Sequence, residues 1–266
     1  MSLMSPAGIK RLADLSAEQW DAYLAKWESM REVVLLSQTH EILARAVCTW
    51  SGVPLQESEV KERTNDLALM IDASGGFGLR YWRGRQARKR AEKWIGDLVD
   101  EVRNQKIAVD ETSAFHTIAR HRDAEGELLD RHTAAVEVLN VLRPTVAIAR
   151  FVTFAALALH EHPECVQKVR AAEDGYLELF VQEVRRFYPF FPAVAARVRK
   201  NFEWKGYSFR QGLHAILDLY GTNHDARLWE RPEEFSPERF RQWNGSAFNF
   251  IPQGGRRPPH WTPLSW

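Results

Sequence analysis

Apolar side chains recur at helical spacing through most of the chain, and this periodicity predicts a mainly helical protein. The first apolar face, at positions i, i+3, i+4 and i+7, consists of Trp20, Tyr23, Leu24 and Trp27. Ser16, with Gln19 three residues later, forms a capping-box pattern that predicts the N-terminus of this helix. The apolar, partly β-branched run at residues 33–36 predicts a short strand.

Three further helices are predicted in the next part of the chain, over residues 38–50, 58–73 and 81–103. The last of these is strongly basic, and a basic helix can bind nucleic acid. Acidic residues in the second half of this helix offset its positive charge, and no aromatic platform interleaves with its basic residues. We therefore interpret this helix as having a solvated charged face and expect no nucleic-acid partner.

The most apolar stretch, residues 134–159, predicts a long buried helix over about 130–160. Its centre contains Arg143 and Pro144 side by side. A proline inside a helix costs ~3 kcal/mol or more, and an arginine in an apolar run adds a desolvation cost unless it is paired. Two such residues indicate a functional site, although a simple kink with a surface-reaching arginine is an equally good interpretation of this segment alone. The charged residues in the stretch argue against a membrane span.

The last third of the chain changes from helical to alternating periodicity. Helices are predicted over 163–170 and 174–188, the second with an apolar stripe formed by Leu177, Phe180, Val181, Val184 and Phe187. A hairpin follows, with Lys205-Gly206 as its tight turn, and residues 213–219 predict a further strand that runs into a helix. The fold class is therefore mainly α with a small β portion.

Composition and charge narrow the functional classes. The 266 residues carry a formal net charge of +1, with 45% hydrophobic and 27% charged residues, as in an ordinary globular protein. The two cysteines, Cys48 and Cys165, form neither a disulfide framework nor a zinc-site spacing. The N-terminus has no secretion-signal pattern, so a cytoplasmic location is expected.

Two separated motifs together resemble the cytochrome P-450 family. Glu183 to Arg186 are similar to its ExxR helix, Pro237 to Phe240 are similar to its PERF segment, and the predicted hairpin lies between them. The resemblance implies an incomplete cytochrome P-450 fold and a haem b cofactor. It also implies that Glu183, Arg186 and Arg239 form a buried scaffold behind the haem pocket.

Three further segments, residues 142–147, 217–225 and 251–255, resemble the bacterial fatty-acid peroxygenases within that family. These enzymes use hydrogen peroxide to hydroxylate or decarboxylate fatty acids and need no reductase. The resemblance implies that Arg143 binds the substrate carboxylate and that Pro144 shapes the helix beside it, which favours the functional interpretation of this pair. It implies that Phe77 lines the acyl channel, and it places the haem loop at Pro252, Gln253, Gly254 and Gly255.

The chain also departs from the family pattern. Residues 1–255 match only the C-terminal part of the domain, and residues 256–266 contain no cysteine where the family has its axial ligand. His260 is the alternative ligand in this tail, and its Pro- and Arg-rich surroundings disfavour it. One choice of codons for the tail, read one base later, encodes Gly-Asp-His-Pro-Thr-Gly-His-Arg-Cys-Pro-Gly, so a lost reading frame explains it.

Without the thiolate ligand, this chain is expected to lack peroxygenase activity and to have no metal ligand of its own. The alternative is a non-catalytic, degenerate P-450-like helical protein that binds a lipid or a protein partner. Fatty acid and hydrogen peroxide are the expected substrates in the first case. In the second case, fatty acid would be retained without haem.

Overall fold

The computed structural model describes residues 3–73, 78–243 and 249–252. Most of these residues are helical, with two small two-stranded sheets near the C-terminus, which confirms the predicted fold class. The chain divides into two compact units, Met1–Val152 and Thr153–Trp266. The tail at residues 256–266, predicted to lie outside the family domain, is beyond the described residues.

The first unit is helical. Its elements are α1 (Pro6–Trp27), α2 (Leu35–Ser51), a 3₁₀ turn (Glu57–Glu59), α3 (Val60–Asp72), α4 (Gly78–Arg103), α5 (Ala114–Ala119) and α6 (Arg131–Ala147). Helix α6 packs against α2, α3 and α4, and its Leu142 and Val146 side chains are fully buried. Ile42 and Val47 of α2 belong to the same core.

Two predicted boundaries in this unit are wrong. Helix α1 begins at Pro6, because Ser5 is its N-cap. The Ser5 hydroxyl accepts a hydrogen bond from the Gly8 amide in the first turn of the helix. Ser16 lies inside α1 instead, where its hydroxyl donates to the Leu12 carbonyl at 2.7 Å. The predicted strand at residues 33–36 is also absent, since Leu35 already begins α2.

The predicted helix over 130–160 is present as α6 followed by α7 (Ala149–Glu161), with Ile148 between them and Pro144 inside α6. By length and composition alone, the segment Arg131–Glu161 could cross a membrane, with a mean hydropathy of 1.5 and 28% of its most apolar window buried. Arg150 in this segment forms an ion pair with Asp72 at 2.7 Å. The absence of a membrane span remains a prediction.

The second unit combines short helices with the two sheets. After the end of α7 come α8 (Pro163–Arg170), α9 (Tyr176–Phe187), β1 (Ala193–Arg197), β2 (Phe202–Trp204), β3 (Tyr207–Phe209), β4 (His214–Asp218), α10 (Leu219–Asn223) and a 3₁₀ helix (Pro237–Gln242). Strands β2 and β3 form the predicted hairpin, and Lys205 and Gly206 have the positive φ angles of 50° and 79° that its tight turn requires. Strand β1 pairs antiparallel with β4, which runs directly into α10 as predicted.

Helix α9 buries only part of the predicted apolar stripe: Phe180 and Val184 are buried, and Leu177 and Val181 are not. Leu177 and Val181 are 60% and 41% exposed, respectively. Phe180 is buried as predicted, but the fully buried charged residues Glu183 and Arg186 share its face. A buried ion pair therefore determines which side of this helix faces inward.

Candidate functional site

Glu183 and Arg186 form a salt bridge whose two side chains are both 0% exposed. Their i, i+3 spacing on α9 places the two side chains on one side of the helix. Arg186 donates through Nε to Glu183 Oε2 and through Nη2 to Oε1, both at 2.8 Å. Arg239, from the 3₁₀ helix, donates through Nε to Glu183 Oε1 at 3.1 Å. The structure thus brings together the three residues that the family resemblance groups.

The rest of this cluster is occupied by loop carbonyls. Arg186 Nη1 donates to the carbonyl oxygens of Asn223 at 2.8 Å and Pro232 at 2.9 Å. Arg239 donates to the carbonyl oxygens of Glu230 and Glu234 at 2.6 and 2.8 Å. Because both guanidiniums are engaged in this way, the cluster holds the chain between α10 and the 3₁₀ helix in place and is suited to support rather than to reaction chemistry.

Arg143, in contrast, lies at a groove in the first unit. The groove has a volume of about 630 Å³. Its lining comes from α3 and the residue that follows it, from α4 and from α6. The lining residues are Met70, Ala73, Tyr81, Gly84, Arg85, Arg88, Lys89, Glu92, His132 and Arg143. Pro144, the next residue on α6, is exposed.

The groove combines apolar and cationic side chains. Its single carboxylate, Glu92, accepts from Arg88 Nε at 2.6 Å and lies 3.9 Å from His132 Nδ1. Within the described residues, no carboxylate oxygen comes within 4.0 Å of Arg143. A half-buried guanidinium without a counter-ion, beside apolar surface, can bind an amphipathic anion such as a carboxylate with a hydrocarbon chain.

Several predicted site residues lie outside the described residues. These are Phe77 of the expected acyl channel and Gln253, Gly254 and Gly255 of the expected haem loop. Pro252 is described and buried, next to Ile251, whose amide donates to Asn223 Oδ1 at 3.1 Å. The chain entering the expected haem loop is therefore attached to the same α10 residue whose carbonyl binds Arg186.

The cysteines do not fit a thiolate-bound haem. Cys48 is buried in α2, and burial raises the pKa of its thiol to about 12. Cys165 is buried in α8, where desolvation raises its pKa and the Tyr176 hydroxyl donates to its sulfur at 3.2 Å. Both thiols stay protonated near neutral pH, and no group of three or more potential metal ligands occurs in the described part of the chain.

The sequence interpretation missed the contribution of α4 to the groove. Arg85, Arg88, Lys89 and Glu92 follow one another at helical spacing, which was the available signal that they share a side of α4. Their basic character favoured a solvated surface instead. The His132 side chain is 67% exposed and lies at the rim of the groove.

Comparisons with known proteins identify the family to which this chain is similar. The profile of the family described as cytochrome P-450 matches residues 67–258. Among curated proteins, rhazimal synthase from Alstonia scholaris is 27% identical over 197 residues, which is 62% of this chain and 39% of that protein. The chain thus spans well under half the length of this relative.

Solved structures give stronger matches. Cytochrome P-450SP alpha in complex with (R)-ibuprophen is 46% identical with a TM-score of 0.88, covering 96% of this chain and 62% of that one. Wild-type cytochrome P-450EX alpha with myristic acid is 47% identical with a TM-score of 0.85, covering 96% of this chain and 61% of that one. The chain therefore spans less than two thirds of each matched structure.

Proposed function

Because the chain belongs to the cytochrome P-450 family, we propose that it is the fatty-acid-binding part of a hydrogen-peroxide-dependent fatty-acid peroxygenase. The observation that carries this proposal is Arg143, without a carboxylate partner among the described residues, in a groove lined by both apolar and cationic side chains. The structurally similar cytochromes P-450SP alpha and P-450EX alpha were solved with (R)-ibuprophen and myristic acid, respectively. Both ligands are carboxylic acids with a large apolar part, the class of molecule that the groove suits.

In this proposal, Arg143 fixes the carboxylate of the fatty acid through charge-assisted hydrogen bonds. Met70 and Ala73 supply apolar surface for the acyl chain. The family resemblance assigns Phe77, which is outside the described residues, to the same acyl channel. Pro144 shapes α6 next to Arg143, because its ring removes one backbone donor from the helix. Fixing the headgroup orients the chain relative to the reacting centre and accounts for selectivity among carboxylic acids.

The cytochrome P-450 family uses haem, and we propose haem b as the group that supplies the oxidising chemistry in the complete enzyme. Glu183, Arg186 and Arg239 would support its pocket, and Pro252, Gln253, Gly254 and Gly255 would form its loop. The described cysteines do not fit the axial position, so we propose that the 266-residue chain does not itself catalyse haem-thiolate chemistry. With hydrogen peroxide as oxidant, no reductase partner is required, and the location would be cytoplasmic.

A test of this proposal is fatty-acid binding by the purified chain, measured by displacement of a fluorescent fatty acid with myristate. Replacing Arg143 by Ala should weaken binding about tenfold to a hundredfold, because a hydrogen bond to a charged group contributes ~1.5–3 kcal/mol. R143K should retain part of the affinity, since lysine keeps the positive charge but lacks the two parallel N–H donors of the guanidinium. The control Arg11→Ala removes an exposed arginine of α1 and should leave binding unchanged. Equal affinity of wild type and R143A would refute the assignment.

The second candidate function is a non-catalytic lipid-binding protein that descends from a P-450. The buried, protonated state of Cys48 and Cys165 favours it, because a chain without a thiolate can retain the groove and lose the chemistry. It predicts that myristate binds equally well with and without added haemin. A complete peroxygenase site would instead couple the two ligands.

A further inference from the structure

The sheet formed by β1 and β4 is exposed in the second unit. The two strands pair antiparallel with each other, and no further strand among the described residues pairs with either of them. Val194, Ile216 and Leu217 are 48%, 69% and 49% exposed, so both faces of the sheet present apolar side chains to solvent. Such a two-stranded sheet is marginal by itself, and its free edges offer backbone donors and acceptors to a further strand.

The hydrogen bonds between β1 and β4 show which residues of β4 face its free edge. Amide-to-carbonyl hydrogen bonds of 2.8 and 3.0 Å close the ladder at its two ends, from Val198 to Leu213 and from Leu219 to Pro192, respectively. In an antiparallel ladder, residues that bond to one neighbour alternate with residues whose backbone groups point the other way. The odd-numbered positions of β4 therefore bond to β1. His214, Ile216 and Asp218 direct their backbone groups to the free edge.

Two copies of β4 are complementary when they pair antiparallel about Ile216. In this register Ile216 lies opposite its own copy, and His214 of each chain lies opposite Asp218 of the other. The histidine ring supplies an N–H donor and the aspartate a carboxylate acceptor, so a matched pair lies at each end of the ladder. The Gly221 amide donates to Asp218 Oδ1 at 2.8 Å, which leaves Oδ2 as the acceptor for this pair. The outward-facing positions of both strands coincide in the same register.

The free edge of β1 lacks this complementarity. Pairing β1 with its own copy about Ala195 would place Arg197 opposite Ala193 at both ends, where no carboxylate meets the guanidinium. Pairing β1 of one chain with β4 of the next would leave a free edge at each end of the assembly, which would then grow without limit. The charge pattern therefore favours a closed pair formed through β4.

We propose that β4 is a self-association surface through which two copies of this chain form a symmetric dimer, with the two β4 strands antiparallel about Ile216. The dimer contains a four-stranded sheet in the order β1-β4-β4-β1, which passes the three strands that a sheet with an apolar face needs for stability. The two-fold axis passes between the Ile216 residues, so the same contacts occur twice and the assembly closes. This inference goes beyond the proposed function and does not depend on it.

The experiment is sedimentation equilibrium of the 266-residue chain over a series of concentrations. The average mass should rise from 30.7 kDa to twice that value and level there. Ile216→Lys should weaken dimerisation roughly tenfold or more, because two ammonium-bearing side chains would lie opposite each other at a Cα separation of about 5.5 Å. Leu217→Lys is the matched control, since it makes the same change at the next exposed residue, which lies opposite Ala215 of the second copy. This variant should dimerise as the wild type does.

A second pair of variants tests the ends of the ladder at one position. His214→Asp should weaken dimerisation roughly threefold to thirtyfold, because two pairs of like charges replace the two complementary pairs. His214→Lys should dimerise at least as well as the wild type, because it keeps a donor opposite Asp218. Should Ile216→Lys not fold, as judged by circular dichroism, these two exposed substitutions decide the question.

Disulfide cross-linking tests the register. In Ile216→Cys, oxidised glutathione should join the two introduced thiols of a dimer and be released as two reduced glutathiones, because the expected Cα separation of about 5.5 Å suits a disulfide. Ala195→Cys, the control at the facing position of β1, should not cross-link, and the native Cys48 and Cys165 are buried.

Three results would overturn the proposal. They are a mass that stays at 30.7 kDa at every concentration, a mass that grows beyond twice that value, and equal loss of dimerisation in Ile216→Lys and Leu217→Lys. Myristate binding, which Ile216→Lys should leave unchanged, reports separately on the proposed function.

Discussion

Glu183 is a fully buried carboxylate that accepts hydrogen bonds from Arg186, Arg239 and the Ser236 amide. Replacing it by Gln should lower the free energy of unfolding by ~3–5 kcal/mol, because two guanidiniums, that of Arg186 fully buried, lose their counter-charge. Urea denaturation followed by circular dichroism measures this change. Glu178→Gln is the control on the same helix, since Glu178 is exposed and should change stability by less than ~0.5 kcal/mol. Similar midpoints for both variants would contradict the role assigned to the cluster.

His40 links stability to pH. Burial lowers its pKa from the ordinary value of 6.5, and the charge of Arg150 lowers it further, while Asp72 opposes both effects. The unfolded chain therefore binds a proton at His40 more readily than the folded one. Stability from this residue is present above about pH 6.5 and is lost as the pH falls below it, by at most ~1.4 kcal/mol per pH unit.

The measurement is the free energy of unfolding at a series of pH values from about 7.5 to about 5, in steps of roughly half a pH unit. This range spans the ordinary histidine pKa. His40→Gln should reduce the slope of stability against pH, and the exposed control His121→Gln should not. His224, whose pKa is also lowered by burial, keeps part of the slope in the His40 variant. An unchanged slope in His40→Gln would show that His40 is not buried in its neutral form.

At the scale of elements, helices α3 and α4 approach closely at Gly84. A Cβ atom built there would lie 2.1 Å from the Ala73 Cβ and 3.3 Å from the Leu69 carbonyl oxygen. Gly84→Ala should therefore destabilise the protein by ~1–3 kcal/mol, since the two helices must separate to admit it. It should also alter the groove, which Gly84 lines.

Gly96→Ala is the matched control on the same helix. A Cβ at Gly96 would meet only the end of the Arg131 side chain, at 2.7 Å, and that guanidinium can move. The helix-propensity gain of up to ~1 kcal/mol should then leave this variant neutral or more stable. Thermal unfolding of both variants measures this difference in stability. Equal destabilisation of the two variants would mean that the close approach of α3 and α4 at Gly84 does not determine the cost of a side chain there.

At the scale of the whole molecule, the chain lacks a cysteine suited to bind haem iron. Haemin titrated into the purified chain should give no thiolate-type spectrum after reduction and addition of carbon monoxide, because Cys48 and Cys165 are buried and protonated. Absorption spectroscopy checks this, with intact myristate binding in the same sample as evidence that the chain is folded. The appearance of a strongly red-shifted thiolate band would contradict the proposal.

Much of the fold could be predicted from the sequence, because local periodicity and punctuation report directly on helices and turns. Gly52, in the left-handed conformation with φ of 81°, ends α2 where the sequence predicts. Lys205-Gly206 identifies the hairpin for the same reason. Helix starts were less predictable, because a serine can either cap a helix or donate to a carbonyl within one. Ser5 caps α1, and Ser16 donates to a carbonyl inside it.

The candidate site, like the fold, could be predicted from the sequence only in part. The sequence by itself determined the helical class, the hairpin and the family-type spacing of Glu183, Arg186 and Arg239, because each depends on residues close in the chain or on a recognisable motif. Only the tertiary structure decided that α9 buries its ion pair while Leu177 stays exposed, and that α4 lines a groove with Arg143. The physical reason is that burial and unpaired charge depend on which elements pack together, and periodicity along one segment contains no information about its neighbours.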